Sequence, residues 1–310
     1  MHMPDKYEFI VNPKSRSGMG KRIWDTLELE LKKRRVEYKV YPTERRKHAE
    51  KIASALTSDN ERHRIVVLGG DGTVNEVVNG IRFPEKVILG YIPIGSSNDF
   101  ARGLRIPSDP SEALEIVLNP RRVMDMDIGT VSRPCGTRRF AVSAGIGFDA
   151  AVCHEVSVSW WKKILNRIGL GKLSYAVVAL DRLKKDRPSE MHITLDGERE
   201  LVFEKTYFAA FMNLPFEGGG FRFCPDALPE DGLLDIVILS GVSQLKALFL
   251  LPTALVGKHV LFRGVTILRC RKAEAETDRP MPIHTDGEPL FLRNSIKAEI
   301  REEKLKVIVG

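Results

Sequence analysis

Cysteine is scarce and scattered. Cys135, Cys153, Cys224 and Cys270 are the only four, and no two have the spacing of a zinc-ligand pair or a dithiol redox motif. A disulfide-stapled scaffold is excluded, and buried thiols in a reducing compartment are the expectation. Long hydrophobic runs are missing too. The most apolar stretch, residues 245–262, is interrupted by Lys246, Pro252, Gly257, Lys258 and His259, which makes a poor membrane-spanning helix. No apolar signal core follows the opening Met-His-Met-Pro-Asp-Lys, so a cytoplasmic protein is expected. The seven histidines form no His-Glu-x-x-His pair, and Gly20-Lys21 is followed by Arg22 where a P-loop needs Ser or Thr. Lys and Arg outnumber Asp and Glu by 48 to 41, but they are spread along the chain rather than gathered in one stripe with aromatics. Nucleic acid is therefore disfavoured as a partner, while solubility, an anionic membrane face or a phosphorylated ligand would each account for the excess.

What is present suits a folded protein of two domains. The 310 residues are 43% hydrophobic and 29% charged. The first third alternates strand and helix patterns. Strands are expected at 7–11, 38–41, 64–68 and 87–92, and helices at 21–34, 49–56, 74–79, 99–102 and 111–118. On 21–34 the apolar stripe is Ile23, Leu27 and Leu31. Such alternation means a mostly parallel sheet with helices on both faces, a Rossmann-like three-layer α/β/α domain whose ligands bind at the carboxyl ends of the strands. After residue 124 strand follows strand, at 140–144, 192–195, 200–204, 207–213, 234–239, 266–271 and 282–285. Helical patterns intervene near 150–185 and 243–256. This half reads as an antiparallel β-sandwich. The expected domains are 1–124, with a return segment 296–310, and 125–295.

Three loops carry chemistry. Ile65-Val66-Val67-Leu68 runs into Gly69-Gly70-Asp71-Gly72-Thr73-Val74-Asn75, with a helix beyond. Glycines there let backbone N–H groups approach a phosphate, and a helix N-terminus favours negative charge. Asp71 amid an anion site implies a divalent cation between carboxylate and phosphates. Asn12-Pro13-Lys14-Ser15-Arg16 follows the first strand, and Pro93-Ile94-Gly95-Ser96-Ser97-Asn98-Asp99-Phe100-Ala101-Arg102 follows the fourth. Lys14 and Arg16 read equally as phosphate contacts and as solvated turn residues.

In this order and spacing the three loops resemble the diacylglycerol kinase catalytic family, in particular its soluble bacterial lipid kinases, which are similar to ceramide and sphingosine kinases. The resemblance covers essentially the whole chain. It continues through Asp127-Ile128-Gly129, Ala144-Gly145-Ile146-Gly147-Phe148-Asp149-Ala150, Pro225-Asp226-Ala227-Leu228 with Asp231-Gly232, and Asp286-Gly287-Glu288. Arg16 stands where the family usually has Gly, and Ser96 where it usually has Thr. The resemblance implies an NAD-kinase-type fold for the first domain and an ATP-dependent lipid kinase. ATP would be bound by Asn12, Pro13, Arg16, Thr43, Gly69, Gly70, Asp71, Gly72, Thr73, Asn75, Gly95, Ser96 and Asn98. Asp71, Asp99 and Asp127 would hold a catalytic Mg2+ network, and Phe223, Asp226 and Leu228 a structural metal.

Two Asp-Gly-Glu triplets compete for the catalytic role. Asp196 lies between two strand patterns and reads as a hairpin turn. Around Asp286, Pro289 spoils regular pairing, and the resemblance sets the functional triplet late in the chain. Asp286 is assigned as general base with Glu288 beside it, two acids close enough to raise the base's pKa. The expected acceptor is the hydroxyl of diacylglycerol or a related lipid alcohol. Ser159-Trp160-Trp161-Lys162-Lys163 and the 245–262 stretch suit peripheral membrane contact as well as core packing. Monomer and homodimer stay open. The rival readings are a soluble-metabolite kinase of NAD-kinase type and a non-catalytic nucleotide- or lipid-binding regulator.

Overall fold

The computed structural model describes residues 6–134, 136–152, 187–290 and 292–310. They fall into two compact units, Met1–Ile128 with Glu302–Gly310, and Gly129–Arg301. Trp160-Trp161, Cys135, Cys153 and most of the helical pattern at 150–185 lie outside the described residues.

The first unit is built on one six-stranded sheet. In chain order its elements are β1 (Tyr7–Val11), α1 (Ser15–Gly18), α2 (Gly20–Lys33), β2 (Tyr38–Pro42), α3 (His48–Leu56) and β3 (His63–Gly69). Then come α4 (Asp71–Gly80), β4 (Val87–Pro93), α5 (Asp99–Gly103), α6 (Pro110–Leu118), β5 (Arg122–Met126) and, from the chain's end, β18 (Leu305–Val309). The strand order is β2-β1-β3-β4-β18-β5, parallel except for the β18–β5 pair. β3 from Ile65 onward and all of β4 are apolar because helices cover both faces of the sheet. On α2 the buried stripe is Trp24, Leu27 and Leu31, so Trp24 takes the place expected for Ile23. Its ring packs 5.1 Å from Phe9 on β1. The chain leaves β1 toward β2 and then crosses back to β3. That reversal opens the carboxyl ends of β1 and β3 to a ligand.

The second unit is two antiparallel sheets. One has the order β10-β9-β14-β17-β6-β7, using β6 (Gly129–Arg133), β7 (Gly136–Phe140), β9 (Ser189–Leu195), β10 (Arg199–Thr206), β14 (Lys272–Met281) and β17 (Arg293–Ile300). The other has the order β13-β12-β11-β8-β15-β16, using β8 (Ser143–Gly147), β11 (Phe208–Met212), β12 (Leu234–Leu239), β13 (Val265–Cys270), β15 (Ile283–Thr285) and β16 (Glu288–Pro289). Period-two alternation splits β11 between two cores. Ala209 and Phe211 join Phe140, Ile193, Ala275 and Ile296 inside the sandwich. Phe208, Ala210 and Met212 face the other way, onto Ala247 and Leu250 of α7 (Gln244–Leu255). Cys224 and Cys270 are buried free thiols, both pushed up in pKa by burial first, Cys270 to about 12.

Three boundaries differ from expectation. The return segment begins at Glu302 rather than 296, because Ile296 and Ala298 belong to β17 and fill the sandwich core. The first unit runs to Ile128, since β5 completes its sheet against β18. The strand expected at 140–144 is two strands, β7 and β8, broken at Ala141-Val142.

Candidate active site

The carboxyl ends of β1, β3 and β4 carry the glycine loops, and hydrogen bonds knit them together. Asn12 N–H donates to Leu68 O at 2.8 Å, Thr43 N–H to Val11 O at 2.8 Å, and Ile94 N–H to Gly69 O at 2.9 Å. Asn12 Nδ2 donates to Thr73 Oγ1 at 3.1 Å. The backbones approach too closely for side chains. A Cβ on Gly95 would stand 2.7 Å from Gly70 Cα, and one on Gly69 would stand 2.6 Å from Thr73 Oγ1. Asn98, in the left-handed region at φ 53°, closes the third loop. Its Oδ1 accepts from Gly95 N–H at 2.9 Å, and its Nδ2 donates to Gly95 O at 3.1 Å. Asn is among the few residues that tolerate this conformation. The Tyr91 hydroxyl lies within hydrogen-bond distance of both Gly69 O and Asn98 Oδ1. Gly70 is the N-cap of α4, so the helix points its positive end at this cradle. Asn75 is buried on α4's first turns, and Ser96 lies in the third loop. Pro13 is half-buried beside the first, where Lys14 donates to Glu44 O rather than standing free. Arg16 holds φ at 50°, a conformation usual for glycine.

The three acids expected around a magnesium ion each have a protein partner. Asp71 Oδ1 accepts from Phe100 N–H at 3.1 Å. Asp99 is buried against Arg102, Nη1 to Oδ1 2.7 Å, at the start of α5. Asp127 is fully buried, with Lys304 Nζ 2.9 Å from its Oδ1. Tyr91's hydroxyl is pushed well up in pKa by burial and then by the Asp71 and Asp99 carboxylates, so it stays a donor. Among the described residues, these acids do not close into a set sharing one ion directly. Hard oxygen donors of this kind would hold a divalent ion here only through intervening water.

In the second unit, Asp286 and Gly287 are the two central residues of the β15–β16 hairpin. Both have positive φ, 49° and 74°, the signature of a type I′ turn. The Asp286 carboxylate sits in a nest of backbone donors. Its Oδ1 accepts from Val142 N–H at 2.8 Å and Ser143 N–H at 3.0 Å, and its Oδ2 from Ala141 N–H at 3.0 Å. Asp286 N–H returns a bond to Ser143 O at 2.8 Å. The break between β7 and β8 therefore has a purpose, since it turns three consecutive N–H groups onto one carboxylate. Glu288 is half-buried and pairs with Thr285. Pro289 does not spoil pairing as expected. It pairs with His284 on the edge strand β16, where its missing N–H disturbs no further ladder. Asp196 forms a comparable turn at φ 52° and accepts from Arg271 and Lys272 N–H, but in an exposed setting.

The whole chain matches known proteins. Residues 6–131 match the diacylglycerol kinase catalytic domain, and residues 141–309 match the YegS C-terminal NAD kinase beta sandwich-like domain. A Bacillus subtilis protein provisionally named lipid kinase YtlR is 33% identical over 286 residues, 90% of this chain and 92% of the relative. The chain belongs to the diacylglycerol kinase family of lipid kinases. A diacylglycerol kinase of Mycobacterium tuberculosis is 31% identical over 242 residues, covering 76% of this chain and 73% of its own. The fold is likewise that of solved members. A crystal structure of a diacylglycerol kinase from Bacillus anthracis superposes with a TM-score of 0.70 at 21% identity, covering 99% of this chain and 97% of that one. An NAD kinase from Archaeoglobus fulgidus superposes at 0.52 and 14% identity, covering 98% and 93%.

For a lipid kinase of this family, the loop expected to hold a structural metal is closed by its own donors. Phe223 O accepts from His259 Nε2 at 3.0 Å, and Arg222 Nη2 donates to Pro225 O at 3.0 Å. Asp226 and Leu228 are exposed. These residues do not form a ready oxygen cage, and the buried set of ion-binding type lies elsewhere. Asp149, Glu217 and His284 are buried together, with His284 Nε2 3.0 Å from both Asp149 Oδ2 and Glu217 Oε1. Sequence reading passed over this set, because its members are far apart and in no motif together. The available signal was Gly145. A Cβ there would stand 1.9 Å from Asp149 Oδ2 and 2.5 Å from His284 Nε2.

Proposed function

We propose that this lipid kinase transfers the γ-phosphoryl group of ATP to the hydroxyl of diacylglycerol or a related lipid alcohol. The observation that carries the ATP half is the Gly70–Gly95 approach at the N-terminus of α4. Two glycine loops with no room for side chains leave backbone N–H groups and a helix dipole to meet phosphate oxygens. Asn12 and Thr73 brace the cradle, and Arg16 adds a cation at its rim. Asp71, Asp99 and Asp127 would hold Mg2+ through water, and the ion, when bound, neutralises charge on the phosphates. On the acceptor side, Asp286 takes the hydroxyl proton. The backbone nest fixes the direction of its carboxylate, so little reorganisation is needed at the moment of transfer. Glu288 adjoins it on the same turn.

The lipid acceptor and peripheral membrane contact are supported by α7. One face buries Ala247, Leu250 and Ala254. Yet Leu245 is 80% exposed, Phe249 59%, and Leu261 just beyond is 80% exposed. Between Asp235 and Glu274 there is no acidic residue, while Lys246, Lys258 and Arg263 accompany the exposed apolar groups. Apolar side chains flanked by cations suit the edge of an anionic bilayer. No helix among the described residues is long and apolar enough to cross a membrane.

The test is transfer of label from γ-labelled ATP, with Mg2+, to a panel of diacylglycerol, phosphatidylglycerol, a sphingoid base and NAD. Labelled lipid supports the proposal. Labelled NAD with no lipid product would replace it with a soluble-metabolite kinase. No product from any acceptor would favour a binding regulator.

A further inference from the structure

The Asp149–Glu217–His284 set is buried, charged and unused by the mechanism above. Its three side chains come from a helical turn after β8, the loop after β11, and β15. None is more than 5% exposed in its side chain. Asp149 Oδ1 and Glu217 Oε2 are buried without a hydrogen-bond partner. Two carboxylates in such a setting are costly unless a cation or a proton joins them.

The far side of the imidazole discriminates between the two. Gly287 N–H donates to His284 Nδ1 at 3.1 Å, so that nitrogen presents a lone pair and the ring proton is on Nε2. A histidine bound to a metal through Nε2 has the reverse arrangement, with a proton on Nδ1 donated outward. The ring is therefore oriented for two carboxylates and a backbone N–H. Burial pushes the Asp149 carboxyl above its ordinary range, against the pull of His284, and burial of His284 is outweighed by Glu217 and Asp149, which pull its pKa up to about 10, so the set binds protons tightly as a unit.

We propose that His284, Asp149 and Glu217 form a buried positioning cluster that fixes the Asp286–Gly287 turn and thereby aims the Asp286 carboxylate. The cluster grips the turn from one side, through Gly287 N–H, while the 141–143 nest grips it from the other. β8 links both grips. Ser143 bonds Asp286, and Gly145, two residues on, pairs with His284 and lies bare against the cluster. Glu217 is itself held by a two-way backbone bridge to Phe221, 2.9 Å in each direction, so the third arm is fixed as well. The catalytic meaning of the cluster rests on Asp286 as the base.

Two substitutions separate the two sides of the ring. His284→Gln sets an amide nitrogen where Nε2 was, satisfying both carboxylates, but has no acceptor for Gly287. His284→Asn sets an amide oxygen near Nδ1, keeping Gly287 and abandoning the carboxylates. Both would be measured for melting temperature, kcat, KM for ATP, and amide exchange over 141–143 and 284–288. His284→Gln is expected to melt lower, since a neutral amide replaces a ring whose pKa, against burial, the carboxylates pull up to about 10, to exchange faster at Gly287, keep its KM for ATP, and lose about tenfold or more in kcat. His284→Asn is expected to melt lower and to lose less in kcat than His284→Gln, with a smaller rise in exchange at Gly287. Wild-type kcat and exchange in His284→Gln would overturn the proposal. So would a loss of kcat in His284→Asn as large as in His284→Gln, or a stoichiometric metal in the wild-type protein that His284→Gln lacks. Asp286→Ala is the control. If it keeps full turnover, the base assignment fails, while the exchange measurement still decides whether His284 holds the turn.

Discussion

Gly70 and Gly95 meet backbone to backbone, so close that a Cβ on Gly95 would stand 2.7 Å from Gly70 Cα and 2.7 Å from Asn98 Oδ1. Neither loop can take a side chain there without moving the other. Gly95→Ala should cost about 1–3 kcal/mol of stability by overpacking. It should also weaken ATP binding by about tenfold or more, because the displaced N–H groups no longer converge. Thermal melting and calorimetric titration with ATP check both effects. An unchanged affinity would show that this contact is structural only.

Lys304 brings the chain's return segment to bear on Asp127, whose side chain is fully buried. Lys304→Met removes the cation and leaves the carboxylate in place. Because Lys304 is itself 37% exposed, solvent screens part of the pair, and the loss should be about 1–3 kcal/mol rather than that of a fully buried pair. Urea unfolding of the two proteins measures it. The double variant with Asp127→Asn should recover part of the loss.

His63 is the clearest pH-linked contact of the first unit. Burial disfavours its charge, but hydrogen bonds to Asp59 and Glu8, 2.9 and 2.8 Å away, outweigh that and raise its pKa above the usual 6.5. A raised folded pKa means the folded state holds the proton more tightly than the unfolded state. The stabilisation is then full below pH 6.5 and fades as pH rises through the folded value. Wild type should exceed His63→Gln in stability at acidic pH, and the gap should narrow toward alkaline pH. A gap that widens with pH would contradict the assignment.

Arg16 occupies the left-handed region that glycine adopts without strain. Arg16→Gly relieves roughly 1 kcal/mol of backbone strain and gives back a similar amount in unfolded-chain entropy. Stability should barely change. If the guanidinium contacts ATP, as proposed, KM for ATP should rise while kcat holds.

The first unit was legible because its demands show as residue types. Fully buried parallel strands read as apolar runs, and loops whose backbones crowd one another read as glycine. Trp24 in place of Ile23 on α2 is a small shift of phase that packing against Phe9 decided. The Asp286 turn was legible by motif and not by physics. Asp286 and Asp196 both form positive-φ turns capped by backbone N–H groups. What separates them is the setting, and that comes from elsewhere in the chain. The nest is made by the backbone of 141–143, which leaves no mark in residue identity. The buried cluster joins His284 to Asp149, 135 positions away. Gly145 alone hinted at it, and a glycine among several in one segment does not say which of them is crowded. The boundary at 302 escaped for a related reason. β17 and β18 alternate alike, and only their partners assign one to the sandwich and the other to the parallel sheet.

The comparison of Asp286→Ala with Asp196→Ala, in transfer of label from ATP to diacylglycerol in mixed micelles, tests the central claim most directly. Both variants remove an aspartate from an Asp-Gly-Glu turn and break backbone hydrogen bonds. Asp286→Ala is expected to fall by about a hundredfold or more in kcat, while Asp196→Ala keeps wild-type turnover. Equal turnover in the two variants, or a larger loss in Asp196→Ala, would contradict it.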